Sequence, residues 1–144
     1  MTAAPANRVV DASALVAALV DIGPEGEWAE SMLTGATLCA PHLVVSETAN
    51  ILRRAELSGD IDATAAAQAH DVLLALPLQL FDYEPLADRI WALRHNLTIY
   101  DAQYVALAEA LGCELATLDR KLASASGPRC RFITPPSDRV QERP

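Results

Sequence analysis

The chain has 144 residues, 51% of them hydrophobic, with 11 Lys and Arg against 19 Asp and Glu and a formal net charge of −8. That length suits one domain able to bury roughly 70% of the surface its unfolded chain exposes, and no apolar run approaches the ~18 residues that span a bilayer. The acidic balance excludes a broad basic stripe of the kind that grips nucleic acid without regard to sequence.

Either the chain makes no contact with nucleic acid, or it does so at a local site where something else, such as a bound metal ion, supplies positive charge. The N-terminus, "MTAAPANR", lacks the basic region, apolar core and cleavage site of a secretion signal, so a cytoplasmic protein is expected. Cys39, Cys113 and Cys130 are odd in number and form no CxxC pair, which argues against a disulfide framework or a zinc ribbon. Cys39 and Cys113 lie in apolar stretches and read as core residues. His42, His70 and His95 show no metal-ligand pairing and read as structural or solvated.

"RVVDAS" predicts a short apolar strand ending at Asp11, and "ASALVAALV" continues as a helix. "GPEGE" is expected to break the chain before a second helix, "EWAESMLTG". "ATLCAP" reads as a buried strand stopped by Pro41, and "HLVVSETANILRR" (residues 42–54) as the helix after it, ended by Gly59. "DATAAAQAHDVLLAL" predicts a further helix with Asp62 as its cap. "PLQLFD" reads as a strand and "EPLADRIWALRHN" as a helix with Pro85 in its first turn. After "LTIY" the pattern predicts the helix "DAQYVALAEALG", closed by Gly112. "CELATLD" is a strand, "DRKLASA" a short helical turn and "RFIT" a last strand, followed by the polar tail "PPSDRVQERP". Strands alternating with helices predict the α/β class, a parallel sheet with helices on both faces. One domain over residues 1–144 is expected, with flexible ends at 1–7 and 135–144.

In open α/β sheets ligands bind beyond the carboxyl ends of the strands. Asp11 ends "RVVD", Asp119 ends "CELATLD", and Asp101 opens a helix whose same-face neighbours Tyr104, Val105 and Ala108 are apolar or aromatic. Asp11 and Asp119 could equally be helix N-caps, each worth about 1 kcal/mol, and "TIYD" matches a capping box between Thr98 and Asp101. Glu47 is different. It stands mid-helix beside apolar positions, with no Lys or Arg three or four residues away, since Arg54 lies two turns on. Asp60, Asp62, Asp71, Glu84, Asp88, Glu109 and Glu142 read as caps or solvated acids. If the four inward acids converge, they must protonate or share a cation. Hard oxygen donors without His or Cys suit Mg²⁺ or Mn²⁺ rather than zinc.

These four positions and their surroundings resemble the PIN-domain ribonucleases, and specifically the VapC toxins of bacterial toxin–antitoxin pairs. The matching pieces are "VVDASALVAAL", "VVSETANILRR", "IYDAQYVALAEALGCELATLD" and the "RKL" that follows, in order from about residue 8 to 134. The resemblance implies a three-layer α/β/α sandwich with a metal site made by Asp11, Glu47, Asp101 and Asp119, supported by the hydroxyls of Ser13 and Thr117. It implies Mg²⁺-dependent endonucleolytic cleavage of RNA by a metal-activated water, with Mn²⁺ as a substitute, leaving a 5′-phosphate and a 3′-hydroxyl. It further implies a cognate VapB-type antitoxin that covers the acidic groove, a homodimer, and operator DNA contacted only through the antitoxin, with no role for a membrane. The scarcity of Lys departs from the family and leaves RNA grip to Arg53, Arg54, Arg120 and Lys121, with Arg94 beside them; a solvated face is the plainer reading of such pairs. A catalytically silent PIN-like binding module is the alternative. A phosphoacceptor signalling domain fits less well, because "TLCAP" carries no acid and a helical Glu has no role in that scheme.

Overall fold

The computed structural model describes residues 4–137. Its sheet has five strands, all parallel, in the order β3-β2-β1-β4-β5. These are β1 (Asn7–Val10), β2 (Thr37–Pro41), β3 (Gln79–Phe81), β4 (Glu114–Ala116) and β5 (Phe132–Ile133). Val9 pairs with Cys39 on one side and Leu115 on the other. Central β1 ends in two consecutive apolar residues because both of its faces are covered there: Val9 and Val10 are fully buried.

The helices are α1 (Ala12–Val20), α2 (Pro24–Met32), α3 (Leu43–Leu57), α4 (Ala63–Ala75), α5 (Ala87–Ala92), α6 (Ile99–Leu111) and α7 (Arg120–Ala123). From β1 the chain steps outward through β2 to β3, then returns across the sheet to β4. Right-handed crossovers in opposite directions put their helices on opposite faces. Accordingly α1, α2, α3 and α4 pack with one another, while α6 packs on α5 and lies along β1, β2 and β4. The result is the expected α/β/α sandwich. Its direction reverses between β1 and β4, so the crevice that this topology makes available opens at the carboxyl ends of those two strands.

Helix α6 is the most deeply set: Ala102, Tyr104, Val105, Ala106, Leu107 and Ala108 are all buried. It ends as expected at Gly112, whose left-handed φ of 62° lets the Cys113 N–H turn back to the Ala108 carbonyl. Three details differ from the sequence expectation. "GPEGE" is no break but the first turn of α2, because Pro24 at its start loses no hydrogen bond and Glu25 and Glu27 suit the positive end of the helix. "EPLADRIWALRHN" divides into a 3₁₀ turn at Glu84–Leu86 and the short α5, since Leu86 leaves helical geometry. Helix α6 starts two residues before Asp101, with Thr98 as its cap: the Thr98 hydroxyl accepts the Asp101 N–H at 3.1 Å.

Glu109 also departs from its expected solvated role. It is half-buried on α6, where Arg89 of α5 clasps it through Nε at 2.6 Å and Nη2 at 3.1 Å. The three cysteines are free, and burial raises each thiol pKa, that of Cys130 to about 11. No described helix is long and apolar enough to cross a membrane. Of the two ends expected to be flexible, residues 1–3 and 138–144 lie outside the described residues; Asn7 already pairs in β1 and Pro135 is buried.

Candidate active site

Asp11 sits where β1 gives way to α1, and its N-cap reading holds while its second oxygen is engaged from β4. As the N-cap of α1 its Oδ1 accepts the Ala14 N–H at 3.0 Å and the Ser13 hydroxyl at 2.6 Å. Its Oδ2 accepts the hydroxyl of Thr117, from the end of β4. Ser13 in turn accepts the Leu118 N–H at 3.0 Å, and Thr117 accepts the Asp119 N–H at 2.9 Å. Ser13 and Thr117 are therefore brought to Asp11, lacing the ends of the two central strands together. Burial raises the Asp11 pKa; bonds from Ser13, Thr117 and Ala14 oppose this and the Asp119 charge adds to it. Only 6% of Asp11 is exposed.

Asp119 is exposed at the N-cap of α7, where its Oδ1 accepts the N–H groups of Lys121 at 3.0 Å and Leu122 at 3.2 Å. Asp101, in the first turn of α6, is half-buried. Its pKa is raised by burial first, then by the charges of Asp119 and Asp11, with Thr98 opposing. Glu47 projects from the middle of α3 and reaches the same charges: burial raises its pKa, a bond from Tyr104 lowers it, and Asp101 and Asp11 raise it again. Four elements thus bring Asp11 and Asp101 within electrostatic reach of each other and each of them within reach of Asp119 and Glu47.

The partner missing from the Glu47 helix is Tyr104. Its hydroxyl donates to Glu47 Oε1 at 2.9 Å and receives the Ala12 N–H, and the ring is only 1% exposed. Burial, then the charge and bond of Glu47, push the phenol pKa upward. The sequence gives a faint sign of this, since Tyr104 follows Asp101 by one helical turn and shares its face. Its pairing with a residue 57 positions away has no local signature.

Among the described residues, no Lys, Arg or His pairs with any of the four acids. Nor do three or more His, Cys, Asp or Glu side chains close on one point as a finished metal cage. The proposed RNA-binding cations are scattered. Arg53 and Arg54 are exposed toward the far end of α3, and Lys121 is exposed on α7. Arg94 lies 4.7 Å over the Trp91 ring. Arg120 is occupied with the segment just after β5, donating to the Pro135 carbonyl at 2.7 Å and to Thr134 Oγ1 at 3.3 Å.

A sheet of this order with acids at its switch point defines a class, and comparison with known proteins agrees: the PIN domain model matches residues 8–128. The chain belongs to the PIN-domain family. Ribonuclease VapC1 of Mycobacterium tuberculosis is 43% identical over 125 residues, covering 86% of this chain and 94% of that protein, which places the chain in the VapC branch. The crystal structure of PAE2754 from Pyrobaculum aerophilum aligns with a TM-score of 0.66 at 26% identity, over 88% of this chain and 83% of the other. A member of the VapBC family of toxin–antitoxin systems from M. tuberculosis, VapBC-5, has the same fold, with a TM-score of 0.56 at 20% identity over 90% and 99% of the two chains.

Proposed function

We propose that this protein is the toxin of a type II toxin–antitoxin pair, an endoribonuclease that works with a divalent metal at Asp11, Glu47, Asp101 and Asp119. One observation carries the reading. The carboxyls of Asp11, Glu47 and Asp101 are held above their ordinary pKa by burial and by neighbouring acids, while no cationic side chain among the described residues relieves them. Such a cluster calls for a cation.

The donor set fits a hard ion. It offers carboxylate oxygen without thiolate or imidazole, which suits Mg²⁺ or Mn²⁺. Mg²⁺ keeps several waters and takes one or two carboxylates directly, which agrees with acids that neighbour one another without closing into a cage. When bound, the ion would polarise the phosphodiester and favour ionisation of the attacking water. The chain's own residues do the holding. Ser13 and Thr117 fix both oxygens of Asp11. Tyr104 takes one oxygen of Glu47, so the other is the one left to receive a proton or orient a water. The net charge of −8 then acts as a gate, repelling a polyanion until the metal is in place.

The partner that restrains such a toxin is a VapB-type antitoxin, whose basic segment would complement the acidic crevice. The VapC relatives and the VapBC-5 structure support this part of the reading. A homodimer in the cytoplasm, touching operator DNA only through the antitoxin, completes it. The test is cleavage of a mixed RNA pool by protein freed of any copurifying partner. Cuts that need Mg²⁺ or Mn²⁺, stop with EDTA and vanish in a folded Asp101→Asn variant are expected. Metal-independent cutting, or full activity in the variant, would refute the proposal.

A further inference from the structure

Tyr100 stands beside Asp101 in the first turn of α6, yet 63% of it is exposed. A single exposed aromatic residue needs no explanation. This one forms a wall. Together with Leu43, Ser46, Glu47 and Asn50 it lines a shallow, open groove of about 260 Å³, and those four residues form one stripe along α3. The groove shares Glu47 with the acid cluster, so whatever lies in it is next to the proposed reacting centre.

The lining decides what fits. It offers a phenol ring, an aliphatic side chain, a hydroxyl, an amide and the Glu47 carboxylate, with no Lys, Arg or His. A phosphate would meet no positive charge there and one negative one. A neutral planar group would find an aromatic face to stack on and, in Asn50, both a donor and an acceptor for its edge. The Ser46 hydroxyl gives its hydrogen to the Leu43 carbonyl at 3.2 Å, which leaves its oxygen as an acceptor. Single-stranded RNA presents such groups, and proteins read it by stacking unpaired bases on aromatic side chains.

We infer that the Tyr100 groove is a nucleobase subsite: a base flanking the scissile phosphate stacks on Tyr100, with its edge toward Asn50. The inference rests on the ribonuclease reading but makes a separate demand, that an unpaired base occupies this groove. Exposed Tyr100 can be changed without disturbing the core, and thermal unfolding verifies that each variant is intact.

The experiment compares wild type, Tyr100→Phe and Tyr100→Ala on a short single-stranded RNA and on copies made abasic at each nucleotide flanking the cut. Loss of one stacked base should lower kcat/KM by about 5- to 150-fold in Tyr100→Ala, while Tyr100→Phe, which keeps the ring, stays near wild type. One abasic position should cost wild type a similar factor and cost the Ala variant nothing further. Equal kinetics in all three proteins, or penalties that multiply at every abasic position, would overturn the subsite. A cleavage-independent readout separates this from failure of the nuclease reading: a 5-iodouridine RNA with an uncleavable linkage at the cut site, photocrosslinked in the presence of Mn²⁺, should mark the peptide containing Tyr100. Crosslinks confined elsewhere overturn the inference even if cleavage is intact. A Tyr100→Ala protein that handles RNA normally but loses a protein partner would instead assign the ring to protein docking.

Discussion

Asp11 engages both carboxylate oxygens with hydroxyls, Ser13 from the first turn of α1 and Thr117 from the end of β4, whereas Glu47 has one buried phenol, and the two arrangements predict different consequences. Tyr104→Phe keeps the ring that fills the space but removes the hydroxyl, with its bond to Glu47 and its bond from the Ala12 N–H, and leaves Glu47 free to turn. A partner that orients a metal-binding side chain is typically worth 10- to 100-fold in metal affinity or activity. We therefore expect Tyr104→Phe to weaken Mn²⁺ binding and RNA cleavage by about that factor while the unfolding transition stays cooperative; calorimetric titration beside the cleavage assay checks it. Much at this scale was legible in the sequence. The cap reading of Asp11 holds, and it does not compete with the proposed site, because a strand-end N-cap also faces the crevice. Glu47 was conspicuous for the partner it lacked. What the sequence hid was the identity of that partner, since helical periodicity describes one helix and Tyr104 lies on another.

The elements place the acids through a few tight contacts. Gly26 of α2 is buried against the turn that leaves α1, where an added Cβ would stand 1.8 Å from the Asp21 carbonyl oxygen. Backbone atoms cannot swing aside as a flexible side chain can, so Gly26→Ala must separate α2 from α1. Overpacking of this kind costs about 1–3 kcal/mol, and a lower denaturant midpoint with unchanged slope is the expected result. This glycine also shows why the α2 boundary misled. In isolation "GPEGE" has the composition of a breaker, but its glycine answers a tertiary contact and its proline opens the helix. The alternation of strands and helices was readable because hydrophobic periodicity survives such local disguises. The division at Leu86 and the pairing of Glu109 with Arg89 depend on how α5 docks on α6, which no local pattern encodes.

For the molecule as a whole, the acid cluster links stability to pH and, on the proposed reading, to metal. Carboxyls whose folded pKa is raised hold their protons more tightly folded than unfolded. Their contribution is present at low pH and is lost as pH rises from the ordinary values of 3.8 for Asp11 and Asp101 and 4.5 for Glu47 through their higher folded ones. The metal-free protein should accordingly lose stability across that window. Asp101→Asn should raise the metal-free Tm near neutral pH and give little change at pH values below the ordinary carboxylate range. Mn²⁺ should stabilise wild type near neutral pH, by about 2.7 kcal/mol at a hundred times its Kd, and lose that effect on acidification as protons displace it. A thermal unfolding series over pH, with and without Mn²⁺, measures all three.

The central claim is that four acids from four elements act as one site for a divalent ion. A Mn²⁺ titration near neutral pH, followed by calorimetry or electron paramagnetic resonance on wild type and Asp101→Asn, addresses it without reference to any RNA. Saturable binding in wild type that is lost in an equally well-folded variant is the predicted result. Equal binding by the two proteins, or none by either, would contradict the account.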